Sequence, residues 1–389
     1  MNYVVKCVLF FLLLFSIHLQ SNGQESTTIG GYGNLLYRHN SNLKTSMINY
    51  ERFVLFVEHT FTDKISMVSE LEIEDAKISG GDPGGEFALE QAYVKFNLDQ
   101  DHYFAAGLFI PRIGILNENH LPNTFNGNER TQVETYIIPA TWRELGIGFY
   151  GGAGSLPLNY SVALVNGLNS DMFAHGTGIR EGRAEGKDAN ANNLALTSSV
   201  QFYQNDIKAQ VSGYYGGTVG LPSQQANNLS LSAGPFGTPV LIGEADIQYE
   251  VKGLSAKLLG AVVSIPNADN INNAFANNTP QTEYGAYAEI AYNLLEKANE
   301  PSKDKLLAFV RFETLDMNAI IPSNGIIDGT LRQRHIIIGV GYLPINNVVI
   351  KADVRFASTG EENPALPVNP GTPYEKNNTF INLGLGFSF

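Results

Sequence analysis

The residues with the clearest chemical potential are carboxylates in a short alternating run. Residues 64–74 read Lys-Ile-Ser-Met-Val-Ser-Glu-Leu-Glu-Ile-Glu, which places Glu70, Glu72 and Glu74 two residues apart. On a β-strand their side chains would share one face, about 7 Å apart. Such a row could bind a metal ion or line a water-filled space. We favour the hydrated lining and predict no metal site.

Motifs for catalysis are absent from the sequence. There is no Gly-x-Ser-x-Gly elbow, no His-Glu-x-x-His pair and no phosphate-binding loop. The seven histidines are scattered without ligand spacing. We therefore predict no catalytic residues, no cofactor and no enzymatic activity. The formal charge of -13 argues against a nucleic acid partner.

The N-terminus has the features of a secretory signal peptide. Lys6 precedes an apolar run from Cys7 to Ile17, and small residues follow at 21–23. The run is shorter than the roughly 20 residues that a membrane-spanning helix needs. We predict a cleaved signal at 1–23 and one mature domain at 24–389. Cys7 is the one cysteine, so the mature domain would contain no disulfide.

The dominant period of the mature chain is two. Ile65, Met67, Leu71 and Ile73 share one face of their segment and the three glutamates share the other, which is typical of a strand. Similar segments recur sixteen times, most of them about ten residues long, the length that crosses a bilayer when tilted. They lie near 27–37, 50–61, 64–75, 87–97, 102–110, 143–150, 158–166, 194–203, 207–216, 240–251, 254–264, 283–294, 306–316, 333–342, 348–357 and 378–389.

The connections alternate in length. Links after even-numbered strands are mostly short, and links after odd-numbered strands are mostly long. That alternation is typical of an outer-membrane barrel, which has periplasmic turns on one rim and extracellular loops on the other. All seventeen prolines fall outside the predicted strand interiors, as a β ladder requires.

The C-terminal segment distinguishes a membrane barrel from a soluble sandwich. In 378–389, apolar side chains alternate with small or polar ones and end on Phe387 and Phe389. A last strand with a terminal aromatic resembles the assembly signal of outer-membrane proteins. We predict an all-β, transmembrane, antiparallel up-and-down β-barrel of sixteen strands in the outer membrane of a Gram-negative bacterium. Its partners would be membrane lipid, lipopolysaccharide and the barrel assembly machinery.

The longest informative link is 111–142, the third extracellular loop. In a sixteen-stranded porin this loop folds inward and narrows the lumen, and mixed charge there would filter polar solutes. The alternative is a solvated surface loop. We predict a pore constriction that contains Arg112, Glu118, Glu129, Arg130, Glu134, Arg143 and Glu144.

Strand alternation also predicts the charges of the lumen. The lining would include Glu70, Glu72, Glu74, Glu244, Asp246, Glu250, Arg311, Glu313, Lys351, Asp353 and Arg355. Acids outnumber bases on the predicted inner faces, which disfavours anions on average. We expect a passive diffusion channel for small hydrophilic solutes or ions, weakly cation-preferring or unselective.

Several segments resemble the phosphate-selective porin O and P family. They are Glu129-Arg130, Pro139-Ala140-Thr141-Trp142-Arg143-Glu144-Leu145-Gly146-Ile147-Gly148-Phe149, Ala92-Tyr93-Val94-Lys95-Phe96, Gly107-Leu108-Phe109-Ile110-Pro111 and Val348-Val349-Ile350-Lys351-Ala352-Asp353. The resemblance implies a sixteen-stranded, trimeric barrel acting as a passive channel. The family's phosphate selectivity depends on lysines in the third loop, and 111–142 contains none.

Two other functions stay open. Arg112, Arg130 and Arg143 could form a local anion site, which would suit an anion- or phosphate-selective porin of the same family. A surface binding or adhesion barrel with a closed lumen would instead use the loops 167–193 and 358–377.

Overall fold

A computed structural model of the chain describes residues 25–76, 85–296, 303–366 and 374–389. The predicted signal peptide at 1–23 lies outside the described residues. The sixteen strands are β1 (Ser26–Asn40), β2 (Thr45–Thr62), β3 (Ile65–Glu74), β4 (Phe87–Asn97), β5 (His102–Phe109), β6 (Glu144–Gly152), β7 (Leu158–Asn166), β8 (Leu194–Gln204), β9 (Ile207–Gly216), β10 (Val240–Val251), β11 (Leu254–Ser264), β12 (Thr282–Asn293), β13 (Lys305–Ile320), β14 (Arg332–Ile345), β15 (Val348–Thr359) and β16 (Asn377–Ser388).

The strands form one closed antiparallel barrel. Each pairs with its neighbours in sequence, and β1 pairs with β16 to close the sheet. The closure continues to the last residue, because the Gly31 and Phe389 backbones exchange hydrogen bonds of 3.0 and 2.9 Å. Closure leaves no unpaired sheet edge, which is the condition for a sheet that crosses a bilayer.

The helices among the described residues are short and lie in the connections. They are α1 (Gln132–Tyr136), α2 (Ser223–Asn228) and α3 (Ala268–Phe275), with 3-10 turns at Ser170–Met172, Arg180–Gly182 and Gly329–Leu331. Among the described residues, no helix has the length and apolar character needed to cross a membrane.

All sixteen predicted strands are confirmed, with differences of a few residues at most ends. The first predicted loop, 38–49, is wrong: β1 and β2 extend beyond the expected ends and leave a turn at 41–44. Asn40 Oδ1 accepts from the backbone N–H of Asn42 and Leu43 at 3.0 and 3.1 Å, which closes that turn. Pro344 lies at the end of β14 rather than in a turn, at a register shift where a missing donor is tolerated.

The outer surface of the barrel is apolar. Side chains that alternate outward on successive strands are exposed, including Ile247, Leu258, Ile290, Ile338, Ile350 and Leu383. Exposed aromatic side chains lie near the rim of short turns, among them Phe61, Phe104, Tyr292 and Tyr342. An apolar wall with aromatic residues near its rim is the surface that lipid chains and headgroups accept.

The connection 110–143 between β5 and β6, called loop 3 below, folds into the lumen. Its apolar side chains, such as Ile113, Val133, Ile137 and Trp142, are fully buried and pack against inward-facing residues of β7 to β13. Only residues on the inside of the barrel wall can make these contacts. Loop 3 therefore fills the side of the lumen next to β7–β13.

Candidate functional site

Loop 3 is bound to the opposite wall by buried charged side chains. Lys351 Nζ donates to the carbonyl oxygens of Phe125 and Gly127 at 2.8 and 2.7 Å. Asp353 Oδ2 accepts from the backbone N–H of Asn128 at 2.8 Å. Arg311 Nη1 donates to the Asn126 carbonyl at 3.0 Å. These bonds between buried ions and backbone groups hold the middle of loop 3 in one position.

A second anchor lies at α1. The N–H groups of Gln132 and Val133 donate to Glu313 Oε2 at 2.6 and 3.4 Å. Glu313 also accepts from Arg311 Nε at 2.8 Å, so this carboxylate joins the loop to β13. Thr131 caps the helix, because its hydroxyl accepts from the Glu134 N–H at 3.2 Å.

Glu134 holds the two halves of loop 3 together. Its Oε1 accepts from the N–H groups of Ile115 and Leu116, both at 2.7 Å. Its Oε2 accepts from the hydroxyls of Tyr287 at 2.9 Å and Thr131 at 3.2 Å. The side chain is 1% exposed, and burial raises the pKa of the carboxyl despite these four donors.

Three of the cavities in the described part of the lumen follow one another from the long-loop rim to the short-turn rim. A cavity of about 640 Å³ lies on the long-loop side and includes His175 and Tyr136 in its lining. Tyr136 also lines a middle cavity of about 370 Å³. His120 lines both the middle cavity and a third cavity of about 490 Å³, which reaches Phe389 at the short-turn rim. Each shared residue contacts two neighbouring cavities, and we call these two places the junctions.

The middle cavity is rich in arginine. Five guanidinium groups face three carboxylates there, and the set is Arg38, Arg52, Arg130, Arg180 and Arg355 with Glu51, Glu74 and Glu129. Glu129 is shared between Arg38 and Arg355, with Arg355 Nε at 3.0 Å. Arg52 lies 3.4 Å from Glu72 and 3.7 Å from Glu74. The local charge is therefore net positive, although the whole chain is acidic.

Two β-bulges bring extra carboxylates to this wall. In the β1–β2 pairing, Asn34 faces Arg52 and Leu35 faces Tyr50, which leaves Glu51 as an inserted residue. In the β3–β4 pairing, Glu70 faces Gln91 and Leu71 faces Leu89, which leaves Glu90 inserted. A bulge breaks the alternation of side chains, so Glu90 and Gln91 both face the lumen. Strict alternation from the sequence missed Glu51 and Glu90 for this reason.

Four of the predicted constriction residues line two of these cavities. Arg112 and Glu118 line the cavity at the short-turn rim, and Glu129 and Arg130 line the middle cavity. Arg112 Nη2 donates to the Tyr103 hydroxyl at 3.1 Å, and its guanidinium stacks 4.8 Å from the Tyr150 ring. Glu118 forms an ion pair with Lys208 on β9.

The other three lie elsewhere. Arg143 contacts Glu86 at 3.2 Å and Glu185 at 3.0 Å, beside a small cavity near the loops. Glu134 is buried inside loop 3, as described above. Glu144 is 0% exposed and accepts from Trp142 Nε1 at 2.7 Å and Asn166 Nδ2 at 2.5 Å. The carboxylates of Glu134 and Glu144 therefore stabilise the fold of loop 3 and do not line a cavity.

The predicted lumen-lining residues also divide into side chains that are covered and side chains that line cavities or are exposed. All of these residues point to the inside of the barrel, but loop 3 and neighbouring side chains cover most of them. The covered set with 6% exposure or less is Glu72, Glu244, Asp246, Arg311, Glu313, Lys351 and Asp353. Glu70, Glu74 and Arg355 line cavities, and Glu250 is exposed at the short-turn rim. An average over inner-face charges thus includes many that solutes would not meet.

The C-terminal strand has the expected orientation. Ile381, Leu383 and Leu385 are exposed on the outer surface, in register with β1 and β15. Phe389 is 60% exposed at the short-turn rim, where it also lines the third cavity. The role of Phe387 and Phe389 as an assembly signal stays a prediction.

Comparisons with known proteins agree with this architecture. No family model matches the chain. An uncharacterised protein of Aquifex aeolicus strain VF5 is 28% identical over 343 residues, which cover 85% of this chain and 75% of that protein. Salmonella typhi OmpF, in complex with daunomycin, matches with a TM-score of 0.60 and 11% identity over 93% of this chain and 97% of that one.

Two further solved structures are similar. The outer-membrane channel DcaP of Acinetobacter baumannii has a TM-score of 0.57 and 11% identity, covering 95% of this chain and 99% of that one. The trimer form of OmpT, an outer-membrane protein of Vibrio cholerae, has a TM-score of 0.54 and 12% identity, covering 94% and 99%. These similarities show the porin-like barrel fold. The resemblance to the phosphate-selective family stays a prediction.

Proposed function

We propose that this protein is a porin, a passive channel for small hydrophilic solutes in a bacterial outer membrane. The observation that carries the proposal is the row of three cavities inside the barrel, which extends from the long-loop rim to the short-turn rim. Polar and charged side chains dominate the lining of the middle cavity, the other two cavities combine polar and apolar side chains, and apolar side chains cover the outside of the barrel. A polar interior inside an apolar wall is the arrangement of a diffusion pore.

Loop 3 would act as the constriction. Its anchors to Arg311, Lys351 and Asp353 hold it across the lumen. The cavities on either side of His120 have volumes of about 370 and 490 Å³, which suit small solutes. Arg112, Glu118, Glu129 and Arg130 would supply the charges that a solute meets.

The preferred charge of the solute depends on which groups solutes meet. The expectation of weak cation preference rests on the acidic count of the inner faces. Glu244, Asp246 and Glu313 belong to that count and are buried. The five arginines of the middle cavity instead favour an anion-preferring porin, which is our second candidate.

Reversal potentials in a planar bilayer under a salt gradient separate these candidates. A potential of the anion-selective sign supports the arginine-rich cavity as the selectivity element. The cation-selective sign supports the acidic average and rules the second candidate out.

The adhesion-barrel alternative requires a closed lumen. Proteoliposomes that contain the protein should swell in isotonic solutions of small sugars if the lumen is open. Absence of swelling, together with absence of conductance, would contradict the porin proposal. Binding through loops at 167–193 and 358–377 would then be the function to test.

The same proposal predicts the membrane in which the barrel lies and its oligomeric state. The apolar belt would contact outer-membrane lipid and lipopolysaccharide, after export with a cleaved signal and insertion by the barrel assembly machinery. We expect a homotrimer, as the family resemblance implies; the Vibrio cholerae protein has a trimer form. Chemical cross-linking of the protein in native membranes tests this, and a monomer would contradict it.

A further inference from the structure

Three potential metal ligands meet at the junction beside His120, between the middle cavity and the cavity at the short-turn rim. They are Glu70 on β3, Glu90 on β4 and His120 on loop 3, and one ligand atom from each lies within 4.8 Å of the others. Glu90 is 0% exposed and His120 is 8% exposed. Two barrel strands and the loop that crosses the lumen therefore converge on one point of the lumen.

One oxygen of each carboxylate and one ring nitrogen of the histidine lack a hydrogen-bond partner among the described residues. These atoms are Oε2 of Glu70, Oε1 of Glu90 and Nδ1 of His120, and all three are buried. Within the cluster, His120 Nε2 lies 3.6 Å from Glu90 Oε1. Two carboxylates this close repel each other, and their burial adds a desolvation cost unless a cation or a proton neutralises them.

A β-bulge in β4 directs Glu90 toward this cluster. Glu90 is the inserted residue of the β3–β4 bulge, so it faces the lumen in addition to Gln91. Bulges commonly aim a side chain at a functional site. Without the inserted residue, alternation would give this position one carboxylate instead of two.

Among the described residues, neither Arg52 nor Arg130 forms an ion pair with Glu70 or Glu90. The guanidinium of Arg52 is directed to Glu72 at 3.4 Å and Glu74 at 3.7 Å. Arg130 Nη1 donates to the Thr141 hydroxyl at 3.3 Å. The Tyr32 hydroxyl donates to the other oxygen of Glu90, Oε2, at 3.4 Å. A ligand atom of each carboxylate thus stays directed at the junction.

We propose that Glu70, Glu90 and His120 bind a divalent transition-metal ion such as Zn²⁺ at this junction. Two carboxylate oxygens and one imidazole nitrogen suit Zn²⁺ and its neighbours better than Mg²⁺, which prefers oxygen ligands and retains its waters. Ligands held about 2.1 Å from one ion lie closer together than 4.8 Å. Small rotations of the side chains, including His120 on its loop, close that difference.

Binding is tested with purified full-length barrel in detergent by calorimetric titration with ZnCl₂. We expect one Zn²⁺ per chain for the wild type and at least a tenfold weaker affinity for His120→Ala and Glu90→Gln. His102→Ala is the matched control, because this histidine also lies beside a carboxylate, Asp99, but at the short-turn rim. It should bind Zn²⁺ as the wild type does.

Folding of each variant is checked by heat-modifiable migration on a gel and by β-sheet circular dichroism. If Glu90→Gln fails to fold, Glu70→Gln replaces it. Failure of the wild type to bind Zn²⁺, or equal affinity in wild type and both ligand variants, would overturn the proposal. A carboxylate pair that shares a proton would give the first of these results.

Conductance measurements give a second test, of where in the lumen the Zn²⁺ ion binds. Since the site lies at a junction between two of the cavities, Zn²⁺ should reduce the conductance of the wild type and leave His120→Ala unaffected, while Mg²⁺ should affect neither. Zn²⁺ block that persists in His120→Ala would place the ion elsewhere and contradict the site. The binding titration remains informative whether or not the barrel conducts.

Discussion

Replacement of Glu134 by alanine should loosen loop 3 and leave the barrel intact. Glu134 is the residue at which the two halves of the loop meet, since it accepts from Ile115, Leu116, Thr131 and Tyr287. Its removal leaves every strand-to-strand hydrogen bond in place. The change therefore separates the folding of the loop from the folding of the barrel.

The free-energy cost of Glu134→Ala to the folded state of loop 3 can be worked out from the donors that lose their acceptor. The N–H groups of Ile115 and Leu116 belong to residues that are 7% and 3% exposed. An unsatisfied buried donor costs about 1–3 kcal/mol, so the two amides cost roughly 2–6 kcal/mol together. Since about 1.4 kcal/mol is a factor of ten, local opening of loop 3 should rise at least about 30-fold.

The chain contains a built-in probe of this opening. Trp142 is its one tryptophan and is 0% exposed in loop 3. Its backbone N–H donates to Asn117 Oδ1 at 3.3 Å, which links it to the segment that Glu134 holds. Acrylamide quenching of Trp142 and hydrogen exchange of 113–138 should both increase in Glu134→Ala.

Glu134→Gln is the matched control, because its amide oxygen can still accept from the Ile115 and Leu116 N–H groups. Quenching and exchange should then stay near the wild-type values. Wild-type protection of 113–138 in Glu134→Ala would refute the claim that this carboxylate organises loop 3. Loss of the barrel in both variants would refute the separation of loop and barrel.

Two other substitutions test the electrostatics of the lumen. Glu129→Gln removes the carboxylate shared by Arg38 and Arg355, so the reversal potential in a salt gradient should shift toward anion selectivity; a shift toward cations would contradict this role. Glu283→Gln should leave the free energy of unfolding unchanged or raise it by about 1 kcal/mol, because both oxygens of this 0%-exposed carboxyl have no hydrogen-bond partner among the described residues and glutamine removes the cost of ionising a buried group. A clear fall in the melting temperature of the barrel would show that Glu283 has a stabilising contact.

The barrel could be predicted from the sequence because its signals are local and repeated. Alternation identified all sixteen strands, and the alternating lengths of the links identified the two rims. The first loop was predicted too long because β1 and β2 stay paired as far as Asn40 and Thr45, where the Asx turn at Asn40 connects them, and β1 pairs with β16 up to the same residue. Nothing in an alternating pattern marks where such a hairpin ends.

The lumen was harder to predict because its contacts are not local. Alternation places Asp353 and Glu313 on the inner face, but it does not show that loop 3 will cover them. It also misses Glu51 and Glu90, which face inward because bulges break the alternation. The charges that a solute would meet depend on which side chains loop 3 covers and on which side chains the bulges turn inward. A count of charges along the strands does not give either.

Deletion of 117–135 tests the central proposal most directly. This segment contains His120, Glu129 and the N-terminal part of α1, and it divides the lumen into the cavities described above. In planar bilayers we expect discrete single-channel steps from the wild type and larger steps from the deletion variant, with correct folding checked by gel mobility. Equal conductance of the two folded proteins, or absence of steps from both, would contradict a porin that loop 3 constricts.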